Sequence, residues 1–212
     1  QAKKNKKLPK VVIVVHLGGV SCNMKKIYML SRKYKFKIIE DASHALGSEY
    51  KKIKVGNCKY SDLAVFSFHP VKTITTAEGG AITTNNRNIY NKIKLLRDHG
   101  IQRDKKNFRR QNQGNWYYEQ HELGYNFRMS DLNATLGISQ LNKIRQIIKK
   151  RNMNHKIILN KLSKLPIQFQ KHDNFSSCHL SIALVPEKIH RKIFNFLRKK
   201  NIFVNLHYIP IY

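Results

Sequence analysis

Acidic residues are scarce in this chain: 12 Asp and Glu stand against 41 Lys and Arg in 212 residues, a formal charge of +29. Such a field favours nucleic acid, anionic membranes or phosphorylated substrates as partners. The bases recur in nearly every block of ten beside many Asn and Ile, which marks solvated faces rather than one basic surface. A nucleic-acid face would concentrate Lys and Arg with interleaved aromatics, and only residues 1–10 and the run from Phe108 to Tyr118 approach that pattern. Cysteine is equally sparse. Cys22, Cys58 and Cys178 lie far apart with no CxxC pair, which argues for a reducing cytoplasm and against a disulfide framework or a metal site. Long apolar runs are missing too. Val11 to Val15 is broken by His16 and two glycines, too short for a signal core or a membrane span. No internal repeat is visible, and the 41% of hydrophobic residues suffices for a real core.

What is present reads as alternating strands and helices. Val11–Val15 is a continuous β-branched run, the pattern of a strand buried on both faces of a parallel sheet. Met24, Ile27, Tyr28 and Leu30 follow at near-helical spacing, then a strand over Phe36–Ile39, completing a β-α-β unit. Further strands are expected at Leu63–Phe68 and Gly80–Thr84, and a helix over Asn86–His99 closed by Gly100. Ile101–Gln120 has no apolar period and reads as a mobile surface loop. Ser130 is a suitable N-cap for a helix running toward Leu162. Beyond Pro166 the pattern gives a strand at Leu180–Val185, a helix opened by Pro186 with Ile189, Ile193, Phe196 and Leu197 inward, and a strand at Ile202–Leu206. The implied class is α/β: a large, mostly parallel α/β/α domain over 1–148 and the start of a smaller α+β domain over 149–212.

Two segments carry chemistry. In FSFHPVKTITTAEGG, Lys72 sits in a turn after an apolar strand, with Ser67 five residues before it and Glu78-Gly79-Gly80 after. A lysine held at a partly desolvated place loses some of its proton affinity and can attack a carbonyl through its free lone pair. In FKIIEDASHALGSEY the apolar run ends in Glu40-Asp41, with His44 three residues on. Ligands of α/β sheets sit at the carboxyl ends of strands. Each residue also has a plainer reading: Asp41 as the cap of a turn at Ala42, His44 as a core histidine, Ser67 as a strand serine, Asn126 as a turn residue.

Together these segments resemble the DegT/DnrJ-type nucleotide-sugar aminotransferases, of fold type I, from about Val11 through Tyr212. The resemblance implies pyridoxal 5'-phosphate held covalently by Lys72, with Asp41 paired to its ring nitrogen. His44 would lie near the ring hydroxyl, Ser67 would bond the phosphate, and Ala42 would line the same pocket. ELGYNFRMSDLNATLGISQL, from Glu122 to Leu141, is similar to the family segment whose asparagine, here Asn126, reaches the neighbour's cofactor in a homodimer. His16, His207 and Arg128 are candidates for the substrate side.

Ala77 in TTAEGG and the ending NIFVNLHYIPIY look like the aminotransferases of pseudaminic acid synthesis, which build amino sugars for cell-surface polysaccharide. That implies amination of the C4 ketone of a UDP-4-keto-6-deoxy-N-acetylhexosamine, with glutamate as donor. Family members are longer and begin with a segment that cradles the cofactor phosphate, so the chain is expected to be a fragment lacking both ends. Two other readings stay open: an inactive or decayed fragment, and a basic nucleic-acid binder on an old enzyme scaffold.

Overall fold

The computed structural model describes residues 2–5, 7–172 and 175–209. The expected β-α-β unit is formed by β1 (Val11–Val15), α1 (Met24–Tyr34) and β2 (Lys37–Asp41). Asn23 caps α1 by accepting from the Lys26 amide, and Lys35 ends it in the left-handed region. A small hairpin, β3 (Glu49–Tyr50) and β4 (Ile53–Lys54), precedes β5 (Leu63–Ser67) and β6 (Gly80–Thr83). The central sheet runs in the order β1-β2-β5-β6; β1, β2 and β5 are parallel and β6 is antiparallel. Register places Val15 beside Asp41 and Asp41 beside Val65, so Asp41 and Ser67 both stand at the carboxyl end of this sheet.

The chain continues through α2 (Arg87–Arg97), β7 (Ile101–Gln102), β8 (Glu119–Gln120), α3 (Asp131–Asn142) and α4 (Ile144–Leu162). Then come β9 (Gln168–Phe169), β10 (Ala183–Leu184) and α5 (Glu187–Lys199). Asn86 and Ser130 cap α2 and α3 through their side-chain oxygens. Two small apolar clusters form the core. One joins Ala42, Ala45, Val55, Cys58, Ala64 and Phe66, and the other Val14, Met24 and Ile38.

Several expectations are corrected. β1 is buried on one face only: Val14 points into the core, whereas Val11, Ile13 and Val15 are exposed, Ile13 by 63%. Among the described residues nothing covers that face. The segment between β7 and β8 is ordered rather than loose, because Glu119 accepts from the amides of Arg109 and Arg110 at 2.8 and 2.9 Å and from Tyr117 Oη at 3.0 Å, and pairs with His121. The helix after Ser130 is interrupted at Lys143, which divides α3 from α4. Of the strand expected at Leu180–Val185 only β10 forms, and Ile202–Leu206 is irregular because it finds no strand to pair with. Ile189 and Phe196 of α5 are exposed instead of inward. No described helix is long and apolar enough to cross a membrane.

Candidate active site

The carboxyl ends of β2 and β5 carry the chemistry. Asp41 ends β2, and its Oδ1 accepts from the Ser43 amide at 3.1 Å; the turn-capping role and an outward carboxylate therefore coexist. The turn it caps leads into His44, whose ring is buried and bonded at both nitrogens. Nδ1 accepts from the Gly18 amide at 3.4 Å, and Nε2 lies 3.1 Å from Tyr208 Oη. An acceptor role for Nδ1 leaves the ring proton on Nε2, donated to Tyr208. His44 is thus a neutral imidazole. Burial, then the nearby Lys72 ammonium, lower its pKa to about 4, with the Asp41 carboxylate opposing them and His207 adding to them. Lys72, Asp41 and His207 thus each lie near enough for their charges to act on this ring.

Lys72 follows β5 in a turn closed by its own amide to His69 O at 2.9 Å. Its side chain is half-buried, and among the described residues no acid forms an ion pair with it. Beside it the Thr73 hydroxyl is buried with no hydrogen-bond partner. Ser67 Oγ accepts weakly from the His69 amide at 3.4 Å, which leaves its own proton to donate.

The far wall comes from the end of the chain. The His179 ring packs on His44 with centroids 4.3 Å apart, and its Nδ1 is buried without a partner. Burial, then the charges of His44, Arg151, Lys72 and His207, push its pKa down to about 3. Burial, with the Asp41 carboxylate, raises the Tyr208 phenol. Ser177 fastens this wall: its amide donates to Ser48 Oγ at 2.8 Å and its hydroxyl to His44 O at 2.7 Å. Gly19 is required at the seam, because at φ 94° an added Cβ would press on Ser177 Oγ and lie 3.0 Å from His44 O.

The structure thus gathers Lys72, Asp41, His44 and His207, and adds His179 and Tyr208, which sequence reasoning missed. Tyr208 lay in the quoted terminal segment; His179 had no local signal. Four candidates lie elsewhere. His16 is fully buried under the sheet end, with Nε2 2.8 Å from Glu40 Oε2 and Nδ1 accepting from the Cys22 amide at 3.2 Å, so no face of it is left for substrate. Arg128 is ion-paired to Asp98, which Arg103 also approaches. Ala42 is fully buried in the core, its amide given to Val65 O at 2.8 Å. Asn126 is exposed on a strip away from its own chain's interior and accepts from the Arg128 amide at 3.5 Å.

The sequence profile of the DegT/DnrJ/EryC1/StrS aminotransferases matches residues 2–212. The chain belongs to that family. Its members are pyridoxal-phosphate-dependent, and the fold is that of the fold-type I aminotransferases. A UDP-4-amino-4,6-dideoxy-N-acetyl-β-L-altrosamine transaminase of Campylobacter jejuni is 41% identical over 214 residues, 95% of this chain and 52% of its own length. The enzyme of that name in Helicobacter pylori is 35% identical over 96% of this chain and 53% of its own. The solved Helicobacter pylori aminotransferase PseC, involved in pseudoaminic acid biosynthesis, superposes with a TM-score of 0.86 at 33% identity, covering 98% of this chain and 56% of that one. A putative sugar aminotransferase of Streptococcus pneumoniae, solved with pyridoxal phosphate, gives a TM-score of 0.81 at 28% identity over 94% of this chain and 54% of its own. The chain spans about half the length of the curated relatives it matches.

The donor set suits this cofactor. An amine with no acid partner, a carboxylate oxygen held by one amide, a free hydroxyl proton and a neutral aromatic ring are what an aldehyde, a pyridinium nitrogen, a phosphate and a flat heterocycle respectively take up.

Proposed function

We propose that the complete protein transaminates the C4 ketone of a UDP-4-keto-6-deoxy-N-acetylhexosamine with glutamate as amino donor. The observation that carries this reading is the grouping of Lys72 and Asp41 about the neutral His44 ring, in a chain 41% identical to the Campylobacter transaminase. Lys72 would hold the cofactor through its amine, Asp41 would pair with the ring nitrogen, and Ser67 would donate to the phosphate. Bound pyridoxal phosphate supplies an electron-accepting ring that makes a proton on the amine-bearing carbon removable.

The chain's own residues do the rest. The Asp41 carboxylate favours a protonated ring nitrogen, since an opposite charge at hydrogen-bond distance stabilises the cation. Lys72 Nζ, which has no acid partner among the described residues, would be the chain's own base for holding and moving a proton beside the bound cofactor. His44 stays neutral through the working pH range, so its Nε2–H holds Tyr208 without adding positive charge beside Lys72. His179, buried against the His44 ring, covers one side of that ring, whereas Tyr208 remains 57% exposed at the rim.

A homodimer completes the site in this reading. It is supported by the exposed apolar strip around Asn126: Leu123, Tyr125, Phe127 at 68% and Leu132 at 85% exposure. Such a run is costly to leave in water and fits a second copy.

The test uses the full-length protein. With pyridoxal phosphate the wild type acquires a yellow chromophore that borohydride fixes to Lys72, and the Lys72→Ala variant does not. Glutamate then converts the UDP-keto sugar to its 4-amino product. A chromophore retained in Lys72→Ala, or a bound cofactor that never aminates that sugar, overturns the assignment.

A further inference from the structure

Beside α4, where residues 170–172 and 175–181 return to the helix, three groups with metal-ligand chemistry converge. His155 of α4, His172 and Cys178 each offer one ligand atom, and the three atoms lie within 4.8 Å of one another. Nothing in the spacing 155, 172, 178 advertises this, and three scattered thiols argue against zinc in the linear sequence. The fold assembles the cluster by laying the tail back on the helix. The Asn152 side-chain amide donates to Ser176 O at 2.9 Å, and Arg151 Nη1 donates to His179 O at 3.1 Å.

His155 is 5% exposed, and its Nδ1 lies 2.6 Å from Ser181 Oγ. Its Nε2 is buried with no hydrogen-bond partner. A buried polar atom left in that state costs free energy that a ligand would recover. His172 stacks on His155 with ring centroids 4.3 Å apart, and its Nδ1 lies 3.0 Å from Ser176 Oγ. The same hydroxyl accepts from the Cys178 amide at 3.0 Å. Imidazoles that bind metals hold their other nitrogen on an outer partner, which fixes the tautomer and aims the ring. Both histidines here have that partner, Ser181 for one and Ser176 for the other. The Cys178 thiol is buried, and that burial pushes its pKa up, with the Arg151 guanidinium opposing only in part, so the proton leaves when a cation takes its place.

We propose that His155, His172 and Cys178 form a divalent-cation site of the zinc class, with two imidazoles, one thiolate and a fourth position open to water or a further donor. Two nitrogens and one sulfur in tetrahedral geometry suit zinc, and cobalt as its spectroscopic substitute. Ligand atoms about a tetrahedral zinc stand roughly 3.3 to 3.6 Å apart, so the cluster closes by at most about 1.5 Å on binding. The proton balance is simple: both imidazoles enter neutral, and the Cys178 thiol releases one proton to solvent. Since Ser177 and His179 flank Cys178, the metal would fix the wall that rests on His44. The site is independent of the transaminase reading.

The test is a cobalt titration of the full-length protein without a histidine tag. The wild type is expected to take up one equivalent, with tetrahedral visible bands and a near-ultraviolet thiolate-to-cobalt band, and zinc should displace it. Cys178→Ser removes the thiolate band, and Ser181→Ala, which leaves all three ligands, weakens binding about ten- to a hundredfold. Absence of stoichiometric cobalt uptake by the wild type overturns the proposal whether or not the variants fold. So does a folded Cys178→Ser protein with an unchanged cobalt spectrum.

Discussion

Acidification should loosen the wall of the active site before it unfolds the rest. Burial and the Lys72 charge hold His44 at about 4 against an ordinary 6.5, and burial with the His44 charge holds His179 at about 3. Both folded values lie below the unfolded ones, so as pH falls the unfolded chain takes up protons first. The stability that depends on these neutral rings is intact above about pH 6.5 and is lost as the pH drops toward about 4. At about pH 5 an ordinary histidine is almost fully charged and either of these is still neutral, a difference of about 2 kcal/mol per ring. The two rings are in contact, and the part of the His179 shift that comes from His44 appears only when both are charged. The pair together is therefore expected to cost about 3 to 4 kcal/mol.

The measurement is denaturant unfolding of the cofactor-free, full-length protein at about pH 7.5 and about pH 5, for wild type and for a variant with His44→Gln and His179→Asn. The remaining histidines titrate in both proteins, so the wild-type loss minus the variant loss isolates the pair. A difference near zero refutes the argument, as do imidazole resonances of His44 and His179 that titrate near 6.5.

Three further outcomes are expected. Glu40 is buried between His16 Nε2 and the Ser61 hydroxyl, so Glu40→Ala should cost about 3 kcal/mol by chemical denaturation, and Glu40→Gln, which keeps one acceptor, clearly less. Gly100 adopts φ 70° and its missing side chain would run into Glu122 O, so Gly100→Ala should destabilise by at least about 2 kcal/mol and shift the melting point down; an unchanged melt would mean the turn relaxes freely. Leu132→Asp, at a position 85% exposed in the single chain, should convert a dimer to monomer in sedimentation without changing the helix signal, and a persisting dimer would place the interface elsewhere.

The parts of the molecule legible in its sequence are those whose cause is local. The β-branched run at Val11–Val15 and the apolar run before Asp41 each became a strand, because a parallel sheet asks for that composition. Ser130 became the expected cap, since its oxygen satisfies an amide three residues away, and Asn86, expected as the first residue of its helix, caps it in the same way. Runs whose fate depends on a partner misled. Leu180–Val185 and Ile202–Leu206 have strand composition, yet the first pairs over two residues and the second over none. The exposed side of β1 misled for the same reason: apolar residues state what a face wants, and only the fold supplies the cover.

The active site divides along the same line. Asp41, Ser67 and Lys72 fall within one short stretch, on neighbouring strand ends, so their spacing carries them together. The environment that holds His44 neutral is closed by bonds from Ser177 and Tyr208, separated from their partners by 129 to 164 positions. No periodicity links residues so distant. Closing a loop of that length costs only a little more than closing a shorter one, since the entropy grows with the logarithm of length, but it must be repaid by contacts at the far end. Those contacts are a seam of serine hydroxyls and stacked histidines rather than a large apolar surface, which is why an added cation at His155, His172 and Cys178 would matter. It would tie the returning tail to α4 beside the residues that press on His44, and the loss of that tie should appear first as a rise in the His44 pKa toward its ordinary 6.5.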